Sequence, residues 1–356
     1  MNKTALPAPL PQAQRVTKSL SDCTNYDPDI KETGAIDLAK ILEEETVEES
    51  TEKRICTAFI EHLRNENAQV RATAVRCINK VVNHIKEPNL IMILTKLSEE
   101  TINNTDKEMT EMYALAIENI FDTTEQQAKE EVQENIIKSL FSNMLKGIET
   151  KSESVKIACL SICTRLFKVF GQLILRSATN LVNKDQCMKA IVEQMTKGSS
   201  INLRKKASQC MGAYSQVLNS NQLSNLCTQL ITTITASKSK AEIIIQMQCF
   251  SEMSKFIRQK LAPYLQKILP LVQGLMMKID PKTSVDEQND LTGACLETLQ
   301  QIVKSCPREV ATYIPELFKN SLTLLEYDPN FVYDNNVKMA DDEEDGGWGS
   351  DFENDV

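Results

Sequence analysis

Residues 65–82 read NENAQVRATAVRCINKVV. Val70, Ala74 and Ile78 are spaced by four and share one helical face, and the middle residue is small, which lets a partner helix approach where a bulky side chain would hold it off. The same triplet, an apolar residue with a small one four positions on and a larger apolar one eight on, recurs as Ile30/Gly34/Leu38, Met112/Ala116/Ile120, Val155/Cys159/Cys163, Leu203/Ala207/Met211, Ile245/Cys249/Met253 and Leu291/Cys295/Leu299. The fourth triplet after Ile30 is counted in is the loosest, with Cys in the large slot. Successive anchors are 40, 42, 43, 48, 42 and 46 residues apart. A period near 40 marks an array of helix pairs that bury their apolar faces against neighbours. The triplets therefore read as inner helices. Amphipathic stretches precede them at Ser50 to Asn65, Pro88 to Thr101, Val132 to Glu149, Asp185 to Lys197, Gln222 to Ala236 and Leu261 to Ile279, and these read as outer helices. An eighth outer helix, Val310 to Glu326, has no inner partner after it.

Composition agrees with helices. The chain has 356 residues, 42% of them hydrophobic, and only 10 glycines, too few turn formers for a β-sandwich or barrel. Formal charge is −9, but from Asp328 onward there are ten acids against Lys338 alone, so the preceding residues hold 39 acids and 39 bases. Residues 1–130 carry 15 bases against 23 acids, and residues 131–327 carry 24 against 16. An overall acidic chain is a poor binder of phosphate backbones, so no direct nucleic-acid partner is expected. The N-terminus lacks the apolar core of a signal peptide, and the most apolar long stretch, Ala158 to Leu175, is broken by Arg165 and Lys168, so no membrane span is expected. The expected organisation is a flexible 1–11, a solenoid over 12–327 and an acidic, disordered tail over 328–356. The tail holds the single Trp, Trp348, with Phe331, Tyr333 and Phe352 among acids, and folding back onto the basic 131–327 part is one role it could have.

Eleven cysteines at irregular spacing, with no CxxC, read as reduced thiols of a cytoplasmic and nuclear protein. Cys77, Cys159, Cys163, Cys210, Cys249 and Cys295 fall on the inner helices, where a thiol is a compact apolar filler. Cys159 and Cys163 make half a zinc site at best, with no second pair or His near them in sequence. His62 and His84 read as surface or helix-end residues. No phosphate loop, dinucleotide fingerprint, nucleophile elbow or zinc-protease motif occurs, and two histidines leave little for acid–base chemistry. An enzyme is not expected, nor a cofactor or metal. Candidate partner-binding residues are Arg204, Lys205 and Lys206, the densest basic run, together with Lys156, all at the starts of inner helices. Arg71 and Arg204, each following the first residue of a triplet, are also candidates for contacts to a neighbouring Asp or Asn in the next repeat. The acidic run Glu43, Glu44, Glu45, Glu48, Glu49 and Glu52 reads as a solvated linker.

The stretch at 65–82 resembles a HEAT inner helix, as does Leu203-Arg204 followed by KASQCMGAY, and LAPYLQKILPLVQGLM from Leu261 resembles a HEAT outer helix. The resemblance implies an all-α, right-handed α-solenoid of seven to eight HEAT repeats. Residues Lys260 to Asp334 are more specific. Cys306-Pro307-Arg308-Glu309-Val310, and then Tyr327-Asp328-Pro329-Asn330-Phe331-Val332-Tyr333-Asp334 leading into acids, resemble the N-terminal portion of the cullin-associated, neddylation-dissociated family, also called TBP-interacting proteins. The resemblance implies a scaffold of cullin-RING ubiquitin ligases that wraps an unneddylated cullin with its RING-box partner and hides the lysine that accepts the ubiquitin-like modifier. Family members are much longer, which implies a truncation or a separate chain carrying the C-terminal repeats. A generic HEAT scaffold, such as an importin-β-like transport receptor or a phosphatase scaffold, and binding to TBP are competing readings.

Overall fold

The computed structural model describes residues 11–177, 180–277 and 285–325. Among them there is no strand, and the helices follow one another as pairs. These are α1 (Gln12–Cys23) and α2 (Pro28–Glu44), α3 (Glu49–His62) and α4 (Ala68–Val81), α5 (Glu87–Asn103) and α6 (Lys107–Gln127), α7 (Glu130–Ile148) and α8 (Glu153–Arg176), α9 (Lys184–Lys197) and α10 (Ile201–Tyr214), α11 (Ser220–Ala236) and α12 (Lys240–Ile257), then α13 (Leu265–Met276) and α14 (Val285–Ser305). The short α15 (Pro307–Val310) and then α16 (Ile314–Leu325) follow. The chain is an all-helical α-solenoid.

Each triplet lies on an even-numbered helix. The even helices pack broadly on their successors from α2 to α14 except at α4 on α6, whereas the odd ones meet their neighbours only narrowly except at α5 on α7, where the contact is the larger of the two. The more closely packed row takes the inside of the bend, so the even helices line the concave face. Ala74, Ala116, Cys159, Ala207, Cys249 and Cys295 are all 0% exposed, and Gly34 is buried. At Gly34 a Cβ would lie 2.8 Å from the Ser19 carbonyl oxygen and 2.9 Å from the Cys23 nitrogen, so a small residue here is what lets α1 cross α2. The most apolar long helix, α8, packs against α6, α7 and α10 and is part of this core.

Two anchors depart from the pattern. Ile30, in the first turn of α2, is 37% exposed although α1 packs closely on the same helix. Met112 is only half-buried, and Met109 and Tyr113 fill the space instead, with the Tyr113 hydroxyl donating to the Leu63 carbonyl at 2.6 Å.

The turns inside the first three pairs repeat a local device. The side chains of Asn25, Asn65 and Asn104 accept from the backbone N–H of Asp27, Asn67 and Asp106, which in turn cap α2, α4 and α6. Asn and Asp supply both steps because a short side-chain oxygen reaches backbone N–H groups two or three residues on. The acidic run is not a linker. Only residues 45–48 lie outside helices, Arg15 pairs with Glu45, and Glu49 pairs with Lys86 at 3.3 Å. Glu52 is 2% exposed and accepts from the Lys86 backbone N–H and the Asn89 amide, both at 2.7 Å. It serves the start of α5, where Lys86 offers no capping side chain of its own.

The end of α10 joins three successive inner helices. That helix ends in a 3-10 turn, Ser215–Val217, where the buried Gln216 donates to the Phe167 carbonyl, and both α8 and α12 touch this turn. Past its end the Lys168 ammonium lies 5.8 Å from the centroid of the Phe256 ring, joining α8 directly to α12.

Two helical glycines differ in the space beside them. A Cβ on Gly212 would run into the Glu252 side chain and lie 3.0 and 3.1 Å from backbone atoms of Glu252 and Met253, whereas one on Gly274 meets nothing within 4 Å. Gly212→Ala should therefore lower stability by about 1–2 kcal/mol, overlap outweighing the helix-propensity gain. Gly274→Ala should raise it by about 0.5–1 kcal/mol. Urea unfolding followed by circular dichroism checks both signs.

Candidate partner-binding surface

The predicted basic residues do meet, at the N-terminal ends of α8 and α10, but two of the four are engaged. Lys156 donates to the Gln194 side chain at 3.1 Å and Arg204 to the Met195 carbonyl at 3.0 Å, both at the end of α9. Glu153 sits at the same corner, held below the usual carboxylate range by hydrogen bonds from Ser199 and Ser200. Lys205 is exposed and Lys206 half-exposed, so these two side chains remain open to solvent. Arg71 makes the expected inter-repeat contact, to Asp106 at 3.2 Å, as well as to the carbonyls of Asn65 and Glu66. Arg204 does not. The residue corresponding to Asp106 in the following repeat is Ser239, the α12 cap, which has no charge, so the guanidinium turns back to its own pair.

A more concentrated basic site was not singled out from sequence. Lys255, Arg258, Gln259, Gln301, Lys304 and Ser305 line a cavity of about 560 Å³ between the C-terminal ends of α12 and α14. The repeat register holds its signal. Thirteen residues after successive triplet anchors stand Glu43, Asn83, Glu125, Lys168, Gln216, Arg258 and Lys304, a row along one edge of the inner helices that changes from acidic to basic. Among the described residues Lys255 pairs with Glu252 at 2.6 Å, and Arg258 and Lys304 have no ion pair. Arg258 also holds a backbone conformation that favours glycine, φ 44° and ψ −122°. Its N–H donates to the Ser254 carbonyl and its own carbonyl accepts from the Cys306 thiol at 3.3 Å. Such a backbone costs a non-glycine residue about 1–3 kcal/mol and persists only where its surroundings hold it.

All eleven cysteines are buried and unpaired. Burial pushes the thiols of Cys23, Cys56, Cys159, Cys210, Cys227 and Cys295 up to about 12. Tertiary packing brings Cys187 of α9 and Cys210 of α10 close enough to Cys163 to raise it further, a grouping invisible in the sequence. Even so, among the described residues no group of three or more His, Cys, Asp or Glu side chains is placed to hold a metal ion. His62 does lie at a helix end but is not a surface residue. It is 4% exposed, its Nε2 meets the Cys23 carbonyl at 2.9 Å, and burial moves its pKa down. His84 is exposed.

No family model matches the chain. Curated relatives match over nearly all of it: the cullin-associated NEDD8-dissociated protein 1 of Drosophila melanogaster is 21% identical over 325 residues, 91% of this chain and 25% of the relative. That of Dictyostelium discoideum is 22% identical over 317 residues, 87% and 25%, and that of Arabidopsis thaliana 22% over 326 residues, 90% and 25%. Its homologues are the cullin-associated NEDD8-dissociated proteins. The chain spans about a quarter of the length of these relatives and matches their N-terminal portion. Among solved structures, Kap121p bound to Pho4p superposes with a TM-score of 0.58 at 13% identity, covering 89% of this chain and 32% of that one. The karyopherin Kap121p bound to the SUMO protease Ulp1p gives 0.59 at 14%, with the same coverage. At that identity the likeness shows the solenoid fold alone. The motif Tyr327, Asp328, Pro329, Asn330, Tyr333 and Asp334, and the acidic tail, lie outside the described residues.

Two outcomes follow from this geometry. Arg258→Gly should raise stability by about 1 kcal/mol while Arg258→Ala does not, because only glycine relieves the positive φ; urea midpoints decide it. With every thiol buried and its thiolate disfavoured, a disulfide reagent at pH 8 should find essentially no reactive thiol in the folded chain and all eleven after unfolding in guanidinium.

Proposed function

We propose that the chain is a non-enzymatic regulator of cullin-RING ubiquitin ligases. It binds an unneddylated cullin with its RING-box partner along the concave row of even helices and masks the lysine that would accept the ubiquitin-like modifier. The observation that carries this reading is the match of about nine-tenths of the chain to proteins named for cullin association and NEDD8 dissociation. The architecture supports it physically. A ladder of seven inner helices offers an extended surface whose total contact can be large without any one deep pocket, as masking requires. The exposed ammoniums of Lys205 and Lys206 would steer an acidic partner surface onto that ladder.

Ile314, Phe318 and Leu322, spaced by four on α16 and 50%, 64% and 47% exposed, form the apolar row on which a further repeat would stack.

The test is a pull-down of purified cullin and RING-box protein, neddylated and unneddylated, with and without a candidate C-terminal chain. Unneddylated cullin should be retained and neddylated cullin released, and Lys205→Glu with Lys206→Glu should weaken retention about tenfold at low salt. Absence of binding to unneddylated cullin in both arrangements would remove this reading.

A further inference from the structure

We propose that the basic cavity between the ends of α12 and α14 is a docking site for clustered carboxylates, and that its occupant is the chain's own acidic segment Asp341–Asp345. This rests on the cavity and the charges and does not depend on the cullin reading.

Three cations, Lys255, Arg258 and Lys304, converge on a space of about 560 Å³ with the amides of Gln259 and Gln301 and the Ser305 hydroxyl as neutral donors. One of the three is offset by Glu252. Lys168, seated on the Phe256 ring one residue along from Lys255, adds a fourth positive group to the same edge. Among the described residues neither Arg258 nor Lys304 forms an ion pair, one oxygen of the nearby Glu309 carboxylate being buried, and Arg258 is kept there in a backbone conformation that arginine disfavours.

The answering charge is in the sequence. Asp341, Asp342, Glu343, Glu344 and Asp345 are consecutive, in a stretch from Asp328 that has ten acids and one lysine. Reach is ample. Ser305 to Leu325 is twenty residues, mostly helical, and spans at most about 30 Å, whereas the sixteen residues from Leu325 to Asp341 can extend to about 53 Å. Being tethered, the segment is present at an effective concentration in the millimolar range, so modest affinity suffices. A second copy is the weaker occupant. The acidic end of the same edge has Glu43, Glu44, Glu45 and Glu52 around one cavity, but Glu45 is paired with Arg15 and Glu52 is buried in two hydrogen bonds.

Trp348, the only tryptophan, stands three residues after Asp345 and reports on this segment alone. The experiment is acrylamide quenching of Trp348 in the full chain at about 0.01 M and about 1 M NaCl, where the screening length falls from about 30 to about 3 Å. Docking predicts protection at low salt, with the quenching constant rising about twofold at high salt. Lys255→Glu with Lys304→Glu should give the high value at both salts, and adding Asp342→Lys, Glu343→Lys and Glu344→Lys should restore protection. Arg258→Gly, which removes the guanidinium while relaxing the backbone, should give an intermediate value and serves if the double variant loses helix by circular dichroism. A quenching constant indifferent to salt, or indifferent to the cavity substitutions, overturns the proposal. So does protection that vanishes on tenfold dilution, since that assigns the contact to a second copy.

Discussion

The structure depends on how closely one helix can approach the next. A small residue at the centre of each inner-helix face lets the outer helix of the same pair lie close, as α1 does at Gly34 and α7 at Cys159, and successive even helices then pack on each other more than the odd helices do, α5 on α7 excepted. That difference bends the array, and the bend makes the even helices a single lining. The thiols belong to the same constraint. Cys159, Cys249 and Cys295 occupy the slot, and burial raises all three, so their chemistry is subordinate to their volume.

Curvature in turn decides which charges are neighbours. Because the inner helices run side by side, residues one repeat apart in sequence fall into rows along either edge. The N-terminal edge collects Lys156, Arg204, Lys205 and Lys206, but also Glu153 and the end of α9, and these absorb half of the cations. At the C-terminal edge the row runs from Glu43 to Lys304 and finishes in a cavity with two unpaired cations among the described residues. The solenoid is thus electrically polar along one edge, although its body carries equal numbers of acids and bases.

Much of this was legible beforehand. The triplets located all seven inner helices, and the outer helices from α3 to α11 lie where the amphipathic stretches put them, because a 3.6-residue period and a small central residue are local properties; α1 had no stretch assigned to it, and α13 starts only at Leu265, after a 3-10 turn. What failed was reading environment from neighbours in sequence. Glu52 looked like one more solvated acid and is buried as the cap of a helix in the next pair, and His62 looked superficial and is enclosed against α1. Arg71 and Arg204 share a motif position yet differ in partner, since the partner is supplied by the following repeat, Asp106 in one case and Ser239 in the other. The Lys255, Arg258 and Lys304 cluster was present in the repeat register but not in any contiguous run.

By itself the sequence determined the class of fold and the register of the helix pairs, which rest on periodic spacing and residue volume carried within each repeat, while the resemblance to cullin-associated NEDD8-dissociated proteins rests on the residues at 306–310 and 327–334 and on chain-long similarity. Only the tertiary structure decided which cations are left without a protein partner among the described residues, which carboxylates are buried, and that Cys163, Cys187 and Cys210 lie together. Those outcomes depend on how adjacent pairs are set against each other, a relation between residues some 25 to 50 positions apart that no single repeat contains.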